Sequence, residues 1–335
     1  MRMTKYRITT IPGDGIGPEV MASAVSVLSA LAEKMDGLSF EFTEIRAGDG
    51  LKAETGVAMR PETVDKVRDS DATLFAAVGE TAKEVILPLR QKLELYANLR
   101  PTKAYPNVPA LKEDVDIVIV RENTEGLYKM VGDRGDGWGV NLRIITKGAS
   151  ERIARFAFEL AKKDGRNKVT AVHKNNVLDK TCGVFLDACR EVAKSYPDIE
   201  YEEMIVDACA MKLILAPEQF DVLVTTNMFG DILSDEAAGL VGGLGLAPSA
   251  NIGDENAIFE PVHGTAPDIA GKGIANPMAT ILSASMMLDW LGERDGAEAI
   301  EKAVITILKE GKTLTPDLGG SATTVEVTEA VLEQL

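Results

Sequence analysis

The sequence predicts an α/β protein, and three observations carry that reading. Short apolar runs alternate with amphipathic helical stretches along the chain. Its 335 residues, 45% hydrophobic and 26% charged, are enough for a large core and two lobes. Gly79, Arg121, Lys174 and Asn227 each come directly after an apolar strand run. In open α/β sheets ligands collect beyond the carboxyl ends of the strands, so polar residues there are site candidates.

The first strand run, "YRITTI", is followed by a glycine cluster and a helix over 18–34, whose Val20, Ala24, Val27, Leu28 and Leu31 share one face. A helix near 60–69 precedes the apolar run "ATLFAAV", and another helix is expected over 84–96. Strands "DIVIV", "KVTAV" and "DVLVTT" then alternate with helices near 150–163, 180–195 and 231–241, and a last one lies near 278–291. The segment "KMVGDRGDGWGVNLRIIT" has the alternation of a β-hairpin. There is no internal repeat and no low-complexity linker, so composition marks no domain boundary.

Several function classes are excluded. No apolar run reaches the roughly 18–20 residues needed to cross a bilayer, so no membrane association is expected. The start, "MRMTKYRITT", lacks the apolar core of a secretory signal. Cys182, Cys189 and Cys209 are odd in number and form no CxxC pair, which suggests neither disulfides nor zinc and fits a cytoplasmic location. A formal charge of -16 argues against nucleic acid but not against small anions, because a few arginines in a cleft set the local field.

"TTIPGDGIGPEVM", residues 9–21, looks at first like a dinucleotide fingerprint. That fingerprint needs G-x-G-x-x-G, whereas Gly13, Gly15 and Gly17 alternate and the third comes one position early. Asp14 also puts a carboxylate where a pyrophosphate would lie. The cluster is therefore read as a turn of another kind.

"TTNMFGDILSDEAAGLVGGLGLAPSANIGD" carries Asp231 and Asp235, four apart and on one face of an otherwise apolar helix. Like charges at that spacing repel unless a cation lies between them. With oxygen donors and no nearby histidine or cysteine, the expected cation is Mg²⁺ or Mn²⁺. Asp207 in "MIVDACAMKL" is a third carboxylate which, taken alone, reads as a helix cap. "LRQKLELYANLRP" holds Arg90 and Arg100, and Arg121 opens "RENTEGLY". Three arginines around one cleft would suit a di- or tricarboxylic acid. Tyr128, and Lys174 in "AVHKNNVL", are plausible proton-transfer groups.

Together these segments resemble the metal-dependent β-decarboxylating dehydrogenases of 2-hydroxy acids, the isocitrate/isopropylmalate family. The resemblance runs from "GDGIGPE" to "TPDLGGSATT", and "EPVHGTAPDIAGKGIANP" belongs to its most specific parts. It implies a two-domain fold with a mixed sheet flanked by helices, not a Rossmann fold. The larger, cofactor-binding domain would combine 1–95 with 242–335. The smaller would span 96–241 and carry the dimer interface and an interlocking arm at about 129–146.

The resemblance also implies roles. Arg90, Arg100 and Arg121 would grip the malate carboxylates. Asp231 and Asp235 would bind the metal, with Asp207 and the proton-accepting Lys174 supplied by the neighbouring subunit of a homodimer. Tyr128 would protonate the carbon after CO₂ loss. NAD would lie against the 260–277 segment: Asp268 at the adenosine ribose, His263 and Asn276 near the adenine, Glu260 near the nicotinamide end, with Gly264, Ala266 and Ile269 lining it. NADP-dependent isocitrate enzymes have a Lys-Tyr pair where this chain has Asp268-Ile269, and a carboxylate there repels a 2′-phosphate, so NAD is expected.

Specificity would be set by "GETAKEVILPLR". Isocitrate enzymes place serine and asparagine where this chain has Glu84 and Ile86; homoisocitrate enzymes can carry an arginine where it has Leu87. Ile86 and Leu87 would form an apolar wall suited to an isopropyl group, pointing to 3-isopropylmalate and leucine biosynthesis. Bacterial isopropylmalate enzymes have a glutamate where this chain has Lys83, so Glu80 or Glu84 would substitute. A homoisocitrate-type or isocitrate enzyme is the alternative, and a non-catalytic regulatory subunit a further one. Pairing of dimers into tetramers is left open.

Overall fold

The structure, a computed structural model, describes residues 4–335. β1 (Thr4–Gly13) leads through the glycine turn into α1 (Gly17–Lys34). Pro18 enters that helix where its missing N–H costs little, and Val20, Met21, Ala24, Val27, Leu28 and Leu31 form the buried stripe. β2 (Leu38–Glu44), α2 (Asp49–Thr55), α3 (Thr63–Arg68), β3 (Ala72–Ala77) and α4 (Ala82–Lys92) follow. All six residues of β3 are buried, as an inner parallel strand covered on both faces requires.

β4 (Ala97–Lys103) and β5 (Asp116–Glu122) run antiparallel. The exposed hairpin of β6 (Gly132–Gly135) and β7 (Trp138–Asn141) comes next. α5 (Lys147–Lys163), β8 (Lys168–His173), α6 (Asp179–Ala193), β9 (Glu200–Ile205), α7 (Val206–Leu215), β10 (Val222–Thr225) and α8 (Asn227–Leu240) continue the alternation. The chain then forms β11 (Pro248–Ile252), β12 (Ala257–Pro261), α9 (Met278–Leu291), α10 (Arg294–Glu310) and α11 (Thr324–Gln334).

Residues group into two compact units. One is built from the chain up to Leu95, from Tyr105–Leu111 and from Gly242–Leu335; its strands lie in the order β2-β1-β3-β12-β11. All neighbours in it are parallel except the β11–β12 pair. The other unit, Tyr96–Ala104 with Lys112–Val241, has the order β4-β5-β10-β8-β9, parallel except for β4–β5. In each unit the strands are therefore mixed in direction and flanked by helices, and neither set has the all-parallel topology of a Rossmann domain. A core around Phe75, Leu89, Leu95 and Ile258 fills the first unit, and one around Ile117, Ile119, Phe220 and Leu233 the second. Each such side chain contributes about 1.5–3 kcal/mol by burial.

Several boundaries differ from expectation, each for a local reason. α4 ends at Lys92 rather than near 96, because the chain must turn into β4, where Pro101 is already extended. α8 begins at Asn227, four residues early, so Asp231 sits in its second turn and is not a cap. α2, α10 and α11 lay outside the sequence reading, and α7 begins at Val206, so Asp207 lies inside its first turn and does not cap it. α10 carries a clear stripe of Ile300, Ala303, Val304, Ile307 and Leu308, whereas α2 is too short to show a period. Among the described residues, no helix is long and apolar enough to cross a membrane.

Candidate active site

The glycine turn is a docking element. Gly13 has φ 69°, and a Cβ on it would lie 1.8 Å from the Ala77 carbonyl oxygen; one on Gly15 would lie 2.1 Å from that of Thr265. Only bare backbone fits so close. The Ile16 N–H donates to Thr265 O at 3.0 Å, which fastens the turn to the 262–276 segment. Asp14 accepts from the backbone N–H groups of Asp49 (2.7 Å), Gly50 (2.9 Å) and Gly79 (3.2 Å). It thus occupies donors at the start of α2 with its own carboxylate. Asp49 repeats the device one step on, accepting from Thr81 N, Thr81 Oγ1 and Glu80 N just ahead of α4.

In the second unit two arginines close on two aspartates. Arg121, at the end of β5 and only 1% exposed, donates from Nε and Nη2 to Asn227 Oδ1 at 3.0 and 2.8 Å. Its Nη1 pairs with Asp231, and its guanidinium lies 5.1 Å over the Tyr128 ring. Arg100, on β4, donates to Asn98 Oδ1 (2.9 Å), Ser234 Oγ (2.7 Å) and Asp235 Oδ1 (2.9 Å), with Nη2 3.4 Å from Asp231 Oδ1. The Tyr128 hydroxyl donates to Asp231 Oδ2 at 2.6 Å. The α8 spacing projects both aspartates to one side, where Arg100 from the middle of β4 and Arg121 from the end of β5 meet them.

The turn carrying Tyr128 is tied down by two carboxylates. Buried Glu122 accepts from Thr124 N, Thr124 Oγ1 and Glu125 N at 2.6–2.8 Å. Burial pushes its carboxyl above the usual range, and these three donors pull the other way. Glu125 accepts from Thr146 N and Oγ1, both at 2.8 Å, and so fastens the turn to the foot of α5.

Lys174, directly after β8, pairs with Asp207 in the first turn of α7. The Lys174 hydrogen bond holds the Asp207 carboxyl below its usual range. Among the described residues, no group of three His, Cys, Asp or Glu is arranged to hold a metal. One chain therefore brings Asp231 and Asp235 to one place without Asp207.

In the first unit Arg90 and Glu260, both buried, form an ion pair at 2.8 Å, and Asn251 Nδ2 donates to Glu260 Oε1 at 2.7 Å. Arg90 Nε is buried without a partner. His263 Nδ1 lies 3.0 Å from Gly264 O, which assigns the proton to Nδ1, and its Nε2 is buried without a partner. Burial lowers this imidazole's pKa. A Cβ on Gly264 would meet no protein atom within 4 Å, and Ala266 has φ 38°, a left-handed conformation costly for alanine. Asp268 is exposed, Ile269 half-buried, and buried Asn276 donates to Asp317 Oδ2 at 3.0 Å. Ile86 is packed in the core, 7% exposed, whereas Leu87 is half-buried. Lys83, Glu80 and Glu84 are exposed, and Glu84 pairs with Lys52 at 2.6 Å.

Sequence reasoning missed the layer of neutral side chains that orients the charged ones: Asn98, Ser234 and Asn251. For Asn227 there was a signal, its place just beyond a strand. The residues fit the groups that the resemblance implies. Asp231 and Asp235 offer only oxygen, which suits Mg²⁺ or Mn²⁺ better than a softer ion. The unpartnered His263 Nε2, the open space over Gly264 and the exposed Asp268 suit a nucleotide.

Known proteins resemble this chain over nearly its whole length. A family described as isocitrate/isopropylmalate dehydrogenase matches residues 7–331. A 3-isopropylmalate dehydrogenase of Archaeoglobus fulgidus is 56% identical over 330 residues, 98% of this chain and 99% of that protein. An isocitrate/homoisocitrate dehydrogenase of Thermus thermophilus is 53% identical over 336 residues, 98% of each chain. The crystal structure of isocitrate dehydrogenase from Methylococcus capsulatus superposes with a TM-score of 0.93 at 44% identity, covering 98% of this chain and 99% of that one. The chain belongs to the isocitrate/isopropylmalate dehydrogenase family.

Proposed function

We propose that this chain oxidises and decarboxylates 3-isopropylmalate with NAD and Mg²⁺ or Mn²⁺, giving 4-methyl-2-oxopentanoate, CO₂ and NADH in leucine biosynthesis. One observation carries the reading: Arg100, Arg121, Asp231 and Asp235 form a charge-balanced knot with Tyr128 on its edge. A dianionic malate and a divalent cation can enter such a knot without leaving a charge unpaired, because carboxylates go to the arginines and the cation to the aspartates.

A bound dinucleotide would supply the hydride acceptor and a bound divalent cation the Lewis acidity that the reaction needs. Arg100 and Arg121, with Arg90, hold the carboxylates. Asp231 and Asp235 hold the cation, joined by Asp207 of a second copy. Lys174 of that copy takes the hydroxyl proton, and Tyr128 delivers a proton to the carbon that has lost CO₂. Glu260, His263, Gly264, Ala266, Asp268, Ile269 and Asn276 hold NAD. Leu87, half-buried on α4, is the better placed of the two apolar specificity residues, since Ile86 serves the core.

Homodimer formation is supported by exposed apolar side chains: Trp138 and Val140 on the β6–β7 hairpin, Met211, Ile214 and Leu215 on α7, and Ile232 on α8. Homoisocitrate is the second substrate reading, favoured by the Thermus relative and by exposed Lys83 on α4. NADH formation from NAD and 3-isopropylmalate with Mn²⁺, with and without EDTA, tests the proposal. EDTA and Asp231→Asn should each abolish turnover; turnover that survives both contradicts it.

A further inference from the structure

The backbone around Lys174 is held as closely as its side chain. Lys174 N–H donates to Cys182 Sγ at 3.3 Å, and Lys174 O accepts from Val177 N (3.1 Å) and Leu178 N (2.8 Å). The next N–H, that of Asn175, donates to Nδ1 of His173 at 3.0 Å. His173 ends β8, is 8% exposed, and lies opposite Ile205 of β9, two residues before Asp207. The segments that carry Lys174 and Asp207 thus leave the sheet from the paired strand ends at His173 and Ile205.

We propose that His173 is a positioning residue for Lys174: its unprotonated Nδ1 accepts the Asn175 N–H and closes the turn that presents the lysine. The inference rests on the reading of Lys174 as the proton-accepting group. Accepting a backbone N–H fixes the ring as the neutral tautomer with its proton on Nε2. That is the opposite of His263, whose Nδ1 faces the Gly264 carbonyl. The bond works like an Asx-turn, in which a side-chain acceptor captures the N–H two residues on. Asparagine places Oδ1 the same number of bonds from Cα as histidine places Nδ1, so it can replace the acceptor. Phenylalanine keeps the ring and removes it.

The test uses the 335-residue chain, which has only two histidines. In ¹⁵N-histidine-labelled wild type, one imidazole should report the Nε2–H tautomer and the other Nδ1–H, with His173→Asn removing the Nε2–H signal. His173→Phe should lower kcat at least tenfold while KM for substrate and NAD stays within about twofold, and His173→Asn should recover most of the loss. A protonated Nδ1 at position 173 overturns the proposal, as does wild-type kcat in His173→Phe or an equal loss in His173→Asn. Because the tautomer is read in wild type, an unfolded phenylalanine variant leaves the proposal falsifiable. Lys174→Ala separates the two readings. If it keeps wild-type turnover, the role given to Lys174 falls, while the spectra still decide whether His173 closes the turn.

Discussion

At Tyr128, one hydroxyl bonded to Asp231 and one ring under a guanidinium set a clear expectation. Tyr128→Phe keeps the ring and removes the proton. It should lower kcat by about 10²–10⁴, the range for loss of a general acid, with KM changed little; steady-state kinetics reads this, and an effect confined to KM would make Tyr128 a binding residue. Glycines and alanines test the backbone readings. Gly13→Ala puts a Cβ 1.8 Å from Ala77 O and should destabilise the fold, whereas Ala266→Gly relieves a left-handed alanine and should stabilise it by up to about 1 kcal/mol. Denaturation midpoints check both signs. At this scale the sequence showed which charged residues matter but not their partners. Arg100 meets Ser234 and Asp235 across more than a hundred residues of chain, and no local period carries that information.

Among elements, the relay from Asp14 to α2 and from Asp49 to α4 explains a motif that composition alone made puzzling. Removing Asp14 leaves three backbone N–H groups without their acceptor. Asp14→Ala should therefore cost about 1–3 kcal/mol and increase amide exchange at Asp49, Gly50 and Gly79. Unchanged exchange at those amides would contradict the relay. Long helices such as α1, α5 and α6 were legible because a wide apolar stripe repeats over several turns. β9, with its sequence EYEEMI, was not, because an edge strand needs few apolar residues.

For the molecule as a whole, acid sensitivity follows from its buried imidazoles. Desolvation lowers the pKa of His173 below its ordinary 6.5, with Arg190 adding to the effect and Glu203 opposing it. The unfolded chain then binds more protons just below pH 6.5, so this group's share of stability is present above that value and is lost as pH falls. The drop in urea midpoint from pH 7.5 to 5.5 should be larger in wild type than in His173→Asn, and equal drops would contradict it. The exposed apolar faces of the hairpin, α7 and α8 are consistent with the proposed dimer, in which Lys174 and Asp207 would serve the other copy. Mixed Lys174→Ala and Tyr128→Phe subunits should then regain about a quarter of wild-type activity, since half the dimers carry one intact site of two. No recovery after proven subunit exchange would place both residues in one chain's site.

The most direct measurement is kcat/KM for NADH formation with Mn²⁺ and 3-isopropylmalate, isocitrate or homoisocitrate, with CO₂ release followed in parallel. The account predicts one CO₂ per NADH and a clear preference for 3-isopropylmalate, since each apolar group buried beside Leu87 is worth about 1–3 kcal/mol of discrimination. A preference for homoisocitrate would leave the chemistry standing and overturn the substrate. NADH formation without CO₂, or none with any of the three, would contradict the reaction itself.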